Sequence, residues 1–412
     1  MTRLILPFLL LWLAGCANFP AAPATAQKSH PLILVSIDGF RWDYLQKFDA
    51  PHLRALAAAG VHATRMTPCF PSKTFPNHYS LVTGLRPEHH GIVSNTFHDP
   101  ALAATFVYSR SECATDPRWW QAGEPVWITA VKQDVRSACF FWPGSEAEIH
   151  GARPHYYRPF DMKLTSAQRV DGLLAWFDLP PAERPRFCTL YFDIVDTAGH
   201  RFGPDAPETA AAVKTADDAI GRLLDGLAQR GLRDTAGIVV VSDHGMTPCG
   251  PDRVIFVDDL VPASTVQVDA LGSNGGFTPK TGTAAELAAQ IRAKHTPHLQ
   301  VYLRDEVPAR LHYRDNPRIS PMVLMADEGW NIENKTGWPN RQLTYNRGTH
   351  GYDPATSNMG ALFLASGPAF KRGVAIGDFE NIHLYNLLCA ALGVAPAAND
   401  GDQRLVRQVL AR

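Results

Sequence analysis

The sequence predicts an α/β fold, a doubly wound and mostly parallel sheet with helices on both faces. Two observations carry that prediction. Four short apolar runs, rich in β-branched residues, are hydrophobic at nearly every position, as strands buried on both faces must be. Between and after them lie longer stretches whose apolar residues recur at helical spacing. Strands alternating with helices build a parallel sheet covered on both sides.

The four runs are Leu32–Asp38 (LILVSID), Phe187–Asp193 (FCTLYFD), Gly237–Gly245 (GIVVVSDHG) and Ala361–Gly367 (ALFLASG). Residues 207–231 join the second run to the third. There Val213, Ala216, Ile220, Leu223, Leu224 and Leu227 share one helical face, and Gly231 ends the pattern. ENIHLYNLLCAALG (380–393) reads as a further helix, and HYSLVTG (78–84) as the start of another. Residues 251–340 carry many prolines and glycines and little periodicity apart from a helix at TAAELAAQIRAKH. They read as an elaboration inserted into the core of one domain spanning 30–412.

The ends and the charge narrow the function. The opening MTRLILPFLLLWLAGC places Arg3 before an apolar run and small residues, the pattern of an export signal over residues 1–15. Its LAGC ending resembles a bacterial lipobox, which implies cleavage before Cys16, a lipid anchor there and a periplasmic or membrane-anchored protein; the alternative is a plain signal peptide cut later. Residues 16–29 are small and proline-rich, as a flexible tether is. With 39 basic and 40 acidic residues, the chain gives no signal for nucleic-acid binding. An anionic substrate must be met by metals or a few placed cations. Past Cys16 stand Cys69, Cys113, Cys139, Cys188, Cys249 and Cys389, whose spacing fits no metal motif and leaves their pairing open.

In open parallel sheets, ligands gather at the carboxyl ends of the strands. Asp38 ends the first run, Asp243 and His244 end the third, and the second runs on to Asp196 and His200, one helical turn apart. His350 sits in a glycine-flanked loop ahead of the fourth run. Each residue alone also reads as a turn former, a helix cap or a surface histidine. Together they collect imidazoles and carboxylates at one sheet edge, a donor mixture that zinc accepts.

ILVSIDGFRWDYL, PCFPSKTFPNHYSLVTGLRPEHHGIVSN, FFWPGSEAEIHG, LYFDIVDTAGHRFGP, VVVSDHGM and NRGTHGYDP, in that order, resemble bacterial members of the nucleotide pyrophosphatase/phosphodiesterase family of the alkaline phosphatase superfamily. The resemblance implies an alkaline-phosphatase-like core holding two zinc ions. One would be bound by Asp196, His200 and His350, the other by Asp38, Asp243, His244 and Thr74. Thr74 would be the nucleophile that forms a phosphothreonine, and Asn95 a donor to a phosphate oxygen. Lys73 reads instead as a solvated loop lysine. The family commonly carries proline just before the aspartate at 196, where this chain has Val195.

The resemblance also implies a small phosphodiester substrate. Phe75 and Phe160 are placed to flank a nucleobase, with Trp142 and Tyr191, and also Pro143 and Glu146, lining the same pocket. The expected activity is release of nucleoside 5′-monophosphates from nucleotide diesters and anhydrides. A lysophospholipid or glycerophosphocholine phosphodiesterase is the alternative with the same metal core. A lipoprotein that only binds metal or nucleotide is the non-enzymatic alternative.

Overall fold

Alternate residues of the first run enter opposite sides of one sheet. Leu32 and Leu34 join one apolar core, whereas Ile33, Val35 and Ile37 join another. Val239 and Val241 divide from Ile238 and Val240 in the same way. Such strands have no solvent face, and burying each aliphatic side chain contributes roughly 1.5–3 kcal/mol. The computed structural model describes residues 30–411. The expected leader at 1–15, the tether at 16–29 and Cys16 lie outside the described residues.

The strands used below are β1 (Leu32–Ile37), β2 (Val61–Ala63), β3 (Ser137–Phe140), β4 (Tyr156–Arg158), β5 (Phe187–Phe192), β6 (Gly237–Val241), β7 (Val266–Ala270), β8 (Asn274–Pro279), β9 (Leu299–Leu303), β10 (Met322–Ala326), β11 (Phe363–Ser366) and β12 (Val374–Ile376). The central sheet has eight strands in the order β12-β2-β11-β6-β1-β5-β3-β4. β1 pairs in parallel with β5 and β6, so Leu32 lies opposite both Phe187 and Gly237. β3 extends the parallel array from β5. The last of the four runs, β11, is antiparallel to both its neighbours.

The helices are α1 (Pro51–Ala59), α2 (Thr74–Thr83), α3 (Ser166–Leu174), α4 (Ile194–Phe202), α5 (Pro207–Gln229), α6 (Ala284–Arg292) and α7 (Leu384–Leu392). α1, α3 and α5 bury Leu53, Leu173 and Ile220 against one face of the sheet. α2 and α7 bury Leu81 and Leu388 against the other. Between β6 and β11 the chain builds a second, antiparallel sheet in the order β7-β8-β10-β9. With α6 it encloses its own core of Phe277, Leu287, Ile291, Met322 and Leu324. Weak periodicity in this stretch has a local cause, since β8 reads NGGFTP and its two glycines offer no side chains to alternate. Cys69, Cys113, Cys139, Cys188, Cys249 and Cys389 are all buried and free. Among the described residues, no helix is long and apolar enough to cross a membrane.

Candidate active site

Three neighbouring strands deliver the predicted ligands to one edge. Asp38 follows β1 directly, with its N–H donating to Phe192 O at 2.9 Å. Asp243 and His244 follow β6. β5 leads into α4, whose first turn carries Asp196 and whose next turn carries His200. Val195, in place of proline, is helical and 1% exposed, and Asp196 stays at the edge beside Asp38. His350 is brought in by the two-residue pairing of Gly348–Thr349 with Thr247–Pro248, just beyond β6. Gly39, at φ +68°, lets α4 come this close, because a Cβ there would lie 2.9 Å from the Asp196 backbone.

All three histidines are oriented alike. His200 Nδ1 donates to Gly348 O at 2.8 Å, His244 Nδ1 to Gly245 O at 2.9 Å, and His350 Nδ1 to Ser72 O at 2.8 Å. A carbonyl can only accept, so each ring carries its proton on Nδ1 and turns an Nε2 lone pair inward. The carboxylates match them. Asp38 Oδ1, Asp196 Oδ1 and Asp243 Oδ2 are buried and have no hydrogen-bond partner. Ligand atoms of Asp196, His200 and His350 lie within 4.8 Å of one another, and so do those of Asp38, Asp196 and His244.

Protons alone serve this cluster poorly. Burial, with Asp243 and Asp196 close by, pushes the Asp38 carboxyl well above its usual range. Burial raises Asp196 too. It acts the same way on Asp243, but His244 Nε2 at 2.9 Å and His78 Nδ1 at 3.3 Å hold that carboxyl well below normal when the imidazoles are protonated, so a proton on His244 Nε2 and a cation compete for the same place. Orphaned carboxylate oxygens and inward lone pairs, packed this densely, are the donor set of divalent cations. The residues fit a bound divalent metal.

Thr74 is the first residue of α2, where the helix dipole favours negative charge, and its Oγ1 lies 3.3 Å from His244 Nε2. The turn before it is fixed by buried Asn77, which accepts from Cys69 N–H and donates to Pro71 O and Lys73 O. Asn95 Oδ1 accepts from Phe75 N–H at 2.9 Å, which commits the carbonyl and leaves the amide N–H groups to the cleft beside Thr74. Lys73 is not the solvated loop lysine that the sequence suggests. It is only 8% exposed, lines the cleft, and is pushed down to about 8 by burial.

A cleft of about 1260 Å³ opens over Thr74 and is lined by Phe75, Trp142, Phe160 and Tyr191, with Pro143 and Glu146. Phe75 leans on Phe106 and Tyr108, and Phe160, 44% exposed, meets Phe141 and Tyr191 edge-on. Two of these residues also have partners that the sequence does not reveal. Tyr191 Oη donates to Asp38 Oδ2, and Trp142 Nε1 donates to His78 O at 3.0 Å. His78 is a further site residue that no sequence motif singles out. Buried beside Asp243, it spends its ring nitrogens on Thr74 O and Ser36 Oγ, at 2.9 and 2.8 Å. Its i,i+4 spacing from Thr74 is the one signal that could have found it.

Residues 32–353 match the family described as type I phosphodiesterase / nucleotide pyrophosphatase. The chain belongs to that family. It is 39% identical over 380 residues to an uncharacterized pyrophosphatase/phosphodiesterase of Schizosaccharomyces pombe, covering 90% of this chain and 78% of that one. It is 39% identical to ectonucleotide pyrophosphatase/phosphodiesterase family member 3 of Rattus norvegicus, covering 92% of this chain and 44% of the relative. Venom phosphodiesterase of Macrovipera lebetinus is 38% identical, with coverage of 97% and 48%. The chain thus spans less than half of the rat and viper proteins. Among solved structures, murine ectonucleotide pyrophosphatase / phosphodiesterase 5, an inactive variant in complex with AMP, superposes with a TM-score of 0.87 at 35% identity, covering 93% of this chain and 100% of that one. The phosphodiesterase/pyrophosphatase is therefore a hydrolase with the mixed α/β fold of its family.

Proposed function

We propose that this family member is a two-zinc phosphodiesterase and pyrophosphatase that releases nucleoside 5′-monophosphates through a phosphothreonine at Thr74. One observation carries the reading. Three orphaned carboxylate oxygens and three inward Nε2 atoms converge beside a hydroxyl at a helix N-terminus. Asp196, His200 and His350 would hold one ion, and Asp38, Asp243, His244 and Thr74 the other. When bound, such ions supply charge neutralisation and hydroxyl activation to a phosphoryl group.

The chain's own residues supply the rest. Thr74 Oγ1 attacks phosphorus in line, and the ester or anhydride oxygen leaves with its bonding pair. Water then cleaves the threonine–phosphorus bond, releasing the 5′-monophosphate and restoring the hydroxyl. The Asn95 amide donates to a non-bridging oxygen, and the α2 dipole favours the anionic group. Phe75 and Phe160 flank the base. The AMP bound to murine ectonucleotide pyrophosphatase / phosphodiesterase 5 supports a nucleotide substrate. The leader and its LAGC ending support export and a lipid anchor at Cys16 in a bacterial periplasm. The yeast, rodent and viper relatives bear on the family alone.

The test is purified, zinc-supplied protein offered three chromogenic substrates alongside elemental analysis. Turnover of the p-nitrophenyl ester of thymidine 5′-monophosphate, with two zinc ions per chain, is the expected result. Preference for p-nitrophenylphosphorylcholine would select the phospholipid alternative, and preference for p-nitrophenyl phosphate a monoesterase. Binding of zinc with no turnover would leave the non-enzymatic lipoprotein.

A further inference from the structure

Phe160 stands in a stretch with no regular structure. Residues 159–165 join β4 to α3, and 159–163 are all exposed. An aromatic ring on such a loop is free to swing, and ordering it on binding would cost affinity. The support it needs comes from α3. That helix opens on a capping box of Thr165 and Gln168, and the next residue, Arg169, turns inward and is 3% exposed.

The Arg169 guanidinium lies over two rings, 5.6 Å from the Phe160 centroid and 5.1 Å from that of Phe141. Its Nε donates to Leu164 O at 3.0 Å, within the loop itself. Its Nη1 donates to Tyr191 O at 3.0 Å and pairs with Asp193 Oδ1 at 2.7 Å, just past β5. α4, which carries Asp196 and His200, starts one residue later. A single buried cation therefore ties the loop of Phe160 to the strand end that leads into the ligand helix. From the opposite side, Glu146 Oε1 accepts Phe160 N–H at 3.0 Å. Arg169 does not line the cleft, and Asp193 already balances its charge, so it is not a phosphate ligand.

From this arrangement we infer that Arg169 is a positioning residue for nucleobase recognition. It holds Phe160 in register with the phosphoryl site, and so sets how strongly the chain prefers nucleotide esters to esters that carry no base. The inference rests on the nucleotide phosphodiesterase reading and deepens it, because it assigns substrate preference to a residue behind the cleft wall.

The experiment measures kcat/KM for the p-nitrophenyl ester of thymidine 5′-monophosphate and for methyl p-nitrophenyl phosphate, in the zinc-loaded full chain. Both lose p-nitrophenolate to the same attack, so the fraction of folded, metal-loaded enzyme cancels from their ratio. Arg169→Met is expected to lower the thymidine-to-methyl ratio about 3- to 30-fold, the range of a cation–π contact, with the loss in KM for the thymidine ester. Arg169→Lys, which keeps the charge without the planar fork, is expected to recover part of it. Phe160→Ala should lower the ratio at least as far, and adding Arg169→Met to Phe160→Ala should move it less than about twofold further. A residue that only stabilises α3 would slow both substrates alike. A ratio unchanged within about twofold in Arg169→Met, or full additivity of the two substitutions, overturns the positioning role. A wild-type chain that turns over the methyl ester as well as the thymidine ester, or turns over neither, overturns the nucleotide reading instead.

Discussion

Tyr191 Oη donates a 2.7 Å hydrogen bond to Asp38 Oδ2, while Asp38 Oδ1 faces the ligand cluster with no partner. The phenol thus decides which carboxylate oxygen is presented. It joins the aromatic wall to the proposed metal centre, because the same ring packs on Phe160 and His78. Tyr191→Phe keeps the ring and removes the donor. Such a supporting bond is worth about 10- to 100-fold in metal affinity, so the variant should lose zinc to a chelator at correspondingly lower chelator concentration. The metal-free variant should also lose about 1–3 kcal/mol of stability, because buried Asp38 Oδ2 is left without its donor.

Thr74→Ala should cut turnover of the thymidine ester at least ~10³-fold, with an unchanged circular-dichroism spectrum. The helix does not depend on the hydroxyl, since α2 begins on the backbone turn that Asn77 holds. Asp243→Ala should differ in kind. It removes a buried ligand oxygen and the partner that Gly39 N–H finds at 3.3 Å, so zinc content should fall along with activity. Elemental analysis of the two variants separates a lost nucleophile from a lost metal.

Asn95 has two ends with two roles. Its carbonyl anchors Phe75 N–H, and its amide is the proposed phosphate donor. Asn95→Asp preserves the anchor and removes the donor, so kcat should drop about 10²- to 10³-fold with the melting temperature nearly kept. Asn95→Ala removes both, and should lose similar activity with about 1–3 kcal/mol of stability, because the Phe75 amide loses its partner. Chemical denaturation and initial rates together distinguish the ends.

The convergence of the candidate ligands was legible because strand ends and an i,i+4 pair are local patterns. Asp38, Asp196, Asp243 and His244 each sit within a few residues of a strand that its own apolar run announces, and His200 lies one helical turn beyond Asp196. Partnerships across the sheet were not. Tyr191 lies on β5 and Asp38 just past the end of the adjacent parallel β1, and no run of residues reveals which oxygen a phenol reaches. Lys73 reads as loop because its burial depends on Ser94 and on Gly351 in the His350 loop, both distant in sequence. The reversed direction of β11 is equally silent in sequence, since ALFLASG buries the same residues whichever way it runs. The antiparallel sheet in 251–340 hides behind the glycines of β8.

The acid limb of stability should pass through His90. This imidazole is fully buried, faces Ser80 Oγ at 3.0 Å with Nε2, and accepts Ile92 N–H with Nδ1 at 3.1 Å. Burial holds it down at about 3, against 6.5 for the free side chain. Between those values the unfolded chain takes up a proton that the folded chain refuses, so stability must fall as pH drops from about 6.5 towards 3. The effect reaches the site because His90 anchors the start of the segment Gly91–Asn95. His90→Gln keeps hydrogen-bonding capacity and removes the titration. Its melting temperature should therefore decline less steeply than that of wild type from pH 6.5 to 4.5, measured on metal-free protein so that loss of zinc does not enter. Parallel decline of the two proteins would clear His90 of the acid limb and place it on other groups.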